Sequence, residues 1–162
     1  MSSFETSPRL TPFLWFDNNA EEAVNFYLSI FKNSRRLDAV QNHGDQPAPA
    51  KVLTIAFELD GQRFTALNGG PMFKFNEAVS FVIRCDSQEE VDEYWRKLSA
   101  GGSEGQCGWL KDKFGLSWQV VPARLPDLIK KPKAMQAMLK MRKLDIAELE
   151  RAAEDQEVPT YR

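Results

Sequence analysis

The sequence predicts an α+β protein in which a unit of one strand, one helix and further strands occurs twice, followed by a helical extension. Three observations support this. The strand and helix patterns recur about 66 residues apart, so that Leu14 corresponds to Phe81. Asp60-Gly61 lies between two segments of strand-like alternation and is a strong hairpin signal. From Leu125 onward the pattern becomes helical and is interrupted by prolines.

The first unit is predicted over residues 10–74. Its helix follows from apolar residues at helical spacing, with an N-cap in Asp17–Asn19 and two glutamates in the first turn. Its strands follow from apolar or alternating runs bounded by turn residues. The predicted elements are strand Leu10–Phe16, helix Ala20–Phe31, and strands Arg36–Val40, Val52–Leu59 and Arg63–Leu67.

The second unit is predicted over residues 75–124. A strand over Ala78–Cys85 leads to a helix opened by Asp86 or Ser87, with Glu89 or Glu90 closing a capping box. Strands follow near 104–110 and 116–121. The turn between them, Asp112-Lys113-Phe114-Gly115, places a glycine where positive φ is needed.

The ends of the chain differ from the repeated units. Residues 1–9 are predicted to be a mobile leader. Residues 125–162 are predicted to be a helical tail, with a methionine-rich helix over Lys133–Lys143 and a last helix over Ile146–Ala153. Asp145 and Glu148 form the capping box of that last helix. The methionine stripe is typical of core or subunit packing, and a promiscuous binding stripe is the alternative.

Composition narrows the classes of function. The 162 residues are 43% hydrophobic and carry a net charge of −2, and no lysine or arginine run exceeds two residues. These features argue against a nucleic-acid partner and against an anionic membrane surface. No apolar run approaches the length of a membrane span, and the first residues do not resemble a secretory signal. Two cysteines make no disulfide framework, so we expect a cytoplasmic protein.

The strand after the turn predicts a sheet with one covered face and one open face. Alternation places Ser117 and Gln119 on one side and Trp118 on the other. The polar side is expected to line an open cup. In the first strand, Leu14 and Phe16 share a face and are predicted to line that cup. The aromatic residues predicted instead to pack under the helices are Phe13, Trp15 and Trp118.

Four stretches carry a resemblance to a known family. They are TPFLWFD at 11–17, EEAVNFYLSIFKNS at 21–34, FELDGQRFTALNGGP at 57–71 and QCGWLKDKFGLSWQVVP at 106–122. The chain resembles the PhnB-like branch of the vicinal oxygen chelate superfamily, often named 3-demethylubiquinone-9 3-methyltransferase. The resemblance implies paired βαβββ modules of the glyoxalase/bleomycin resistance/dioxygenase type. It also implies a homodimer in which modules of two chains complete each cup.

The metal ligands of that superfamily do not carry over. The resemblance places its His, Gln and Glu ligands near Pro12, on Val79 or Ser80, between Thr65 and Asn68, and on Gln119. None of these is acidic or a histidine, and the single histidine, His43, lies in a proline-rich loop. A site without carboxylate, thiolate or imidazole binds divalent cations poorly, so we expect no metal and no cofactor.

Six residues are predicted to form a ligand pocket in the cup. Each has a structural alternative: Gln119 could hydrogen-bond across the sheet, and Asn68 could belong to a turn. Cys107 is placed in the strand before the hairpin, and an inert buried thiol is favoured over a nucleophile. The predicted pocket residues are Leu14, Phe16, Asn68, Cys107, Ser117 and Gln119.

The predicted function is recognition of a small, partly apolar molecule, with any catalysis independent of metal and of unknown reaction. One alternative is a metal-dependent lyase or dioxygenase of the same superfamily. Another is a non-catalytic structural or interaction module. The methyltransferase name lacks sequence support, because neither Gly69-Gly70 nor Gly101-Gly102 forms a glycine-rich strand-to-helix turn with an acid beyond it.

Overall fold

The structure, a computed structural model, describes residues 7–43 and 52–155. Most of the predicted leader and of the proline-rich loop lies outside the described residues. The chain divides into two compact units, residues 1–75 and 76–162. No helix in the described ranges is both long and apolar enough to cross a membrane.

The first unit has the order strand, helix and three strands. Its four strands form one sheet in the order β1-β4-β3-β2, with β1 parallel to β4 and the other pairs antiparallel. Asp60 and Gly61 have φ values of 50° and 82°, as a two-residue hairpin loop requires. The elements are β1 (Phe13–Phe16), α1 (Ala20–Ile30), β2 (Arg35–Gln41), β3 (Val52–Leu59) and β4 (Gln62–Asn68).

One face of this sheet is covered by α1. Tyr27 of α1 stacks on Phe57 with ring centroids 6.3 Å apart, and Phe57 stacks on its cross-strand neighbour Phe64 at 5.4 Å. Alternation along β3 and β4 places Ile55 and Ala66 on the same face, and both are fully buried. The core of the first unit therefore lies between α1 and this face.

The second unit repeats the order. Its sheet runs β5-β8-β7-β6, with β5 parallel to β8. The Ser87 hydroxyl caps α2 by accepting from the Glu90 N–H at 3.2 Å, as the capping box predicts. The elements are β5 (Ser80–Cys85), α2 (Gln88–Ser99), β6 (Ser103–Glu104), β7 (Trp109–Lys111) and β8 (Ser117–Pro122).

The strand predicted near 104–110 is broken. Cys107 and Gly108 have φ values of 58° and 84°, which belong to a turn and not to extended backbone. The prediction of Cys107 in a strand was therefore wrong. The local sequence contains no proline that would have marked this break. The turn is fixed by backbone hydrogen bonds to Met141 and Arg142 in the tail.

The described part of the tail, residues 125–155, contains three short helices, α3 (Leu125–Leu128), α4 (Pro132–Leu139) and α5 (Ile146–Glu154). The Asp145 carboxylate caps α5 by accepting from the Glu148 N–H at 3.0 Å, as predicted. The predicted methionine-rich helix ends at Leu139 and does not reach Lys143. The segment between α4 and α5, residues 140–145, contacts the rest of the unit.

The tail packs on its own unit. The N–H groups of Cys107 and Gly108 donate to the carbonyls of Met141 and Arg142, each at 2.8 Å. The Gln88 amide donates to the Leu144 carbonyl at 3.0 Å and accepts from the Ile146 N–H at 2.8 Å. A buried apolar cluster completes the contact and consists of Val121, Leu128, Met141, Leu144 and Leu149.

Candidate functional site

A buried carboxylate organises the hairpin between β7 and β8. Asp112 is 2% exposed, and its Oδ1 accepts from the N–H groups of Phe114 at 2.8 Å and Leu116 at 3.1 Å. Its Oδ2 accepts from Trp118 Nε1 at 2.9 Å. Gly115, with φ of 89°, donates its N–H to the Asp112 carbonyl. The segment Asp112–Trp118 is therefore a structural clasp, because Asp112, Phe114, Gly115 and Trp118 each take part in the hydrogen bonds that hold the turn together.

The clasp leads into β8, where the Ser117 and Gln119 side chains share the face that lies opposite α2. Cross-strand partners share a face, so Ser117 lies beside Ser80 on β5 and Lys111 on β7. One row further along, Gln119 lies between Val82 and Trp109 on the same face. The alternate residues of β8, Trp118 and Val120, point to the opposite, α2-covered side and are buried. We call the face that carries Ser117 and Gln119 the open face of the second unit.

The hydrogen bonding on this face is incomplete. Gln119 Nε2 donates to Ser80 Oγ at 2.9 Å, so these two side chains form a fixed polar pair. Ser117 is 0% exposed, and its hydroxyl has no hydrogen-bond partner among the described residues. Lys111 forms an ion pair with Glu77, which precedes β5. The open face thus combines a fixed amide, a buried hydroxyl without a partner and an ammonium group.

Leu14 and Phe16 lie on the other side of their sheet from the predicted cup. They are 6% and 3% exposed and share the α1-covered face, because Leu14 is in register with the buried Ala66. Phe13, which was predicted to pack under the helix, is 57% exposed on the opposite face. Trp15 shares that face and donates its Nε1–H to the Gly70 carbonyl at 2.9 Å. The prediction that Leu14 and Phe16 share a face holds, but the face assigned to them was wrong.

Asn68 connects elements within the first unit. Its Oδ1 accepts from the Ala20 N–H at the start of α1, and its Nδ2 donates to the Val52 carbonyl, both at 2.9 Å. Asn19, the N-cap residue within the predicted Asp17–Asn19 turn, makes no side-chain cap hydrogen bond. Asn68 therefore supplies the cap from 48 residues away, and both ends of its amide are engaged. This is the structural alternative for Asn68, and we leave it out of the site proposed below.

The two cysteines have different surroundings. Cys85 is 1% exposed, and burial, followed by the charges of Glu90 and Asp86, raises the pKa of its thiol to about 12. A thiol with that pKa is protonated at neutral pH and is a poor nucleophile. Cys107 is half-buried in the turn before β7. Both thiols are free.

The residues at the superfamily's ligand positions do not fit a divalent cation. The Ser80 hydroxyl and the Gln119 amide are bonded to each other, and Val79 is an exposed apolar residue. The Pro12 carbonyl accepts from the Thr65 N–H at 3.0 Å. Within residues 7–43 and 52–155, no three His, Cys, Asp or Glu side chains are grouped so that they could hold a metal ion. Neutral oxygen and amide donors alone compete poorly with water for such ions.

Comparison with known proteins assigns the family. A family profile described as 3-demethylubiquinone-9 3-methyltransferase matches residues 8–121, which is most of the chain. The chain belongs to this PhnB-like family. It is 32% identical to a solved structure described as a putative 3-demethylubiquinone-9 3-methyltransferase, PhnB protein, from Bacillus cereus. That match covers 72% of this chain and 100% of the other, with a TM-score of 0.66.

More distant structures share the fold. Protein PA1353 from Pseudomonas aeruginosa is 23% identical over 72% of this chain and 98% of its own, with a TM-score of 0.57. The fosfomycin resistance protein FosX from Listeria monocytogenes, solved with Mn(II) and sulfate, is 16% identical over 78% and 98%, with a TM-score of 0.54. Comparison with curated proteins gives no match. The family's fold is the paired βαβββ type, as predicted, and its profile ends before the helical tail.

Proposed function

We propose that this PhnB-like protein recognises a small, partly apolar molecule on the open face of the second unit, without a metal ion. The observation that carries the proposal is the buried Ser117 hydroxyl, which lacks a hydrogen-bond partner within residues 7–43 and 52–155 and lies beside the fixed Ser80–Gln119 pair. A buried hydroxyl without a hydrogen bond costs about 1–3 kcal/mol. Ser117 is 0% exposed, so a ligand reaches its hydroxyl only when the neighbouring side chains move, and a ligand that then supplies the missing partner offsets that cost.

The surroundings of Ser117 support a ligand with both polar and apolar parts. Trp109 is half-buried and Val82 is 60% exposed, and both lie in the row next to Ser117. The side-chain oxygen of Gln119, Oε1, has no partner in the described part of the chain, so it can accept a hydrogen bond from a ligand. Ligand sites commonly combine an apolar lining with a few placed polar groups. Cys107, in the turn before β7, stays a candidate lining residue.

Ligand-observed and protein-observed NMR test this proposal. Small polar-aromatic fragments are expected to shift the amide signals of Ser80, Ser117 and Gln119. Ser117→Ala should raise the free energy of unfolding by about 1 kcal/mol, because it removes an unpaired buried hydroxyl, while it weakens fragment binding. Gln119→Ala should weaken binding as well, and Gln136→Ala on the exposed side of α4 should not. Fragments that bind but leave the open face unperturbed would refute the proposal, and a protein that binds none would favour an interaction module.

The purified protein is expected to hold less than one divalent cation per chain. The reason is the donor chemistry at the superfamily's ligand positions, where Gln119 and Ser80 engage each other. Elemental analysis after dialysis against metal-free buffer measures it. A tightly held ion at one per chain, lost in Gln119→Ala, would instead support the metal-dependent lyase or dioxygenase.

The proposed function does not include methyl transfer by a Rossmann-type cofactor site. Such sites place the cofactor at a glycine-rich turn between a strand and a helix. The three strand-to-helix connections in the described part of the chain are 17–19, 86–87 and 123–124, and none of them contains glycine. The family description is therefore a name for the group, and we propose no methyl transfer for this chain.

We propose a cytoplasmic location, because both thiols are free.

A homodimer is expected in solution. β1 and β5 are edge strands and carry exposed apolar side chains, Phe13 at 57% and Val82 at 60%. Edge strands of this kind favour pairing with a second copy. Light scattering at micromolar concentration should give twice the mass of the chain. A mass of one chain at every concentration would contradict the dimer.

A further inference from the structure

We propose that the ligand of the open face is a small carboxylate with an apolar body, and that Glu77 holds the place of its carboxylate in the structure. This inference rests on the proposed function, because it names the class of molecule that the same face recognises. It is carried by three features that lie together: an ion pair, a hydroxyl without a partner in the described part of the chain, and an apolar row.

The Lys111–Glu77 ion pair connects β7 with the segment before β5, and these two elements lie on either side of β8 at the level of Ser117. Lys111 on β7 is the cross-strand partner of Ser117, and Ser80 on β5 is its partner on the other side. Glu77, three residues before Ser80, reaches Lys111 from the β5 side. A carboxylate therefore already lies beside the ammonium group in the row that contains the unpaired Ser117 hydroxyl. The chemistry of this position suits an oxyanion that accepts from an ammonium and a hydroxyl.

The Glu77 carboxylate is an exchangeable occupant. The Glu77 side chain is 61% exposed and that of Lys111 is 37% exposed, so water competes for both charges. The Lys111 hydrogen bond, and then backbone hydrogen bonding, lower the pKa of Glu77, which keeps it ionised at neutral pH. Exposed ion pairs contribute little to stability and are easily opened. An external carboxylate can displace Glu77 and, unlike Glu77, can bring apolar surface with it.

The apolar part of the ligand follows from the neighbouring row. Rows two residues apart along a strand are separated by about 6.7 Å. Val82, Gln119 and Trp109 form the row next to Ser117, and the exposed Val82 side chain offers apolar contact surface. A single aromatic ring spans this distance from a carboxylate. Benzoate is therefore a suitable probe, and benzamide is its neutral counterpart of nearly the same shape.

The experiment is an NMR titration of the full chain with benzoate at constant, low ionic strength. Benzoate should shift the amide signals of Lys111, Ser117 and Gln119, and benzamide should bind more weakly. Glu77→Gln should tighten benzoate binding about fivefold, because it removes a competing carboxylate. Glu93→Gln is the matched control, since Glu93 pairs with Lys97 on α2, and benzoate affinity should not change. Glu77→Ala should repeat the Glu77→Gln result.

Two further measurements complete the test. Lys111→Met should abolish the preference for benzoate over benzamide, and added salt should weaken benzoate binding in the unmodified protein. Equal or weaker benzoate binding in both Glu77 variants would overturn the inference. If neutral fragments still shift the amide signals of the open face in that case, the proposed function is supported and only the assignment of a carboxylate ligand is wrong. If no fragment shifts the open face, the proposed function falls with it.

Discussion

Asp112→Ala is expected to lower the free energy of unfolding of the second unit by about 3–4 kcal/mol. The carboxylate accepts from two backbone N–H groups and from the Trp118 indole, and it is 2% exposed. Each hydrogen bond to a charged group contributes about 1.5–3 kcal/mol, and truncation leaves buried donors without an acceptor. Water entering the space left by the carboxylate recovers part of that loss, which keeps the total below the sum of the three bonds.

Urea unfolding followed by tryptophan fluorescence measures this change. Asp127→Asn is the control in the same unit, because Asp127 is exposed and its 3.0 Å ion pair with Lys130 is open to solvent, so its effect should stay within about 0.5 kcal/mol. Asp112→Asn should lie between the two. It keeps the oxygen that faces Phe114 and Leu116 but turns an amide N–H toward the Trp118 N–H. An Asp112→Ala protein with an unchanged midpoint would show that the clasp contributes nothing to stability.

The clasp also explains why the hairpin was predictable from the sequence. All of its partners lie between Asp112 and Trp118, and the turn needs a glycine at positive φ, which Gly115 supplies. The N-caps Ser87 and Asp145 are equally local, since each accepts from an N–H three residues later. Local hydrogen bonds leave patterns in neighbouring residues, and such patterns can be recognised in a single sequence.

The face assignment of β1 failed because it depends on packing between distant elements. Alternation shows only that Leu14 and Phe16 point the same way. Which way that is depends on α1, whose Tyr27 stacks on Phe57 of β3. Assigning the larger aromatic residues to the covered face was a poor guide here, because Trp15 instead contacts Gly70 on the other face.

The candidate site was predicted only in part, because some of its residues are brought together by pairing between distant strands. Ser117 and Gln119 belong to the recognisable hairpin, so their shared open face followed from alternation. Ser80 was considered only as a metal-ligand position, and Glu77 and Lys111 were not predicted as site residues. The parallel register of β5 and β8 brings Ser80 and Glu77 to this face, and the antiparallel pairing of β7 with β8 brings Lys111. A register aligned on the two buried runs, with Phe81 opposite Trp118, would have placed Ser80 beside Ser117.

For the tail, the sequence did not decide between packing on its own subunit and packing across a dimer. A methionine-rich stripe fits packing on its own subunit as well as contact across a dimer. In the structure the segment after α4 packs on the second unit, where Leu144 is 0% exposed. A side chain built at Gly108 would approach Leu144 Cδ1 to 3.1 Å, so the contact is close.

Leu144→Ala is therefore expected to lower the free energy of unfolding of the second unit by about 3 kcal/mol, as for other fully buried leucines. Leu139→Ala is the matched control in the same tail, because Leu139 is 58% exposed, and its effect should stay within about 0.5 kcal/mol. Urea unfolding measures both. Limited trypsin digestion adds a local readout, since loosening the Leu144 anchor should speed cleavage after Arg142 and Lys143. If Leu144→Ala leaves stability unchanged and instead dissociates a dimer in light scattering, the tail contact is made across subunits and not within one.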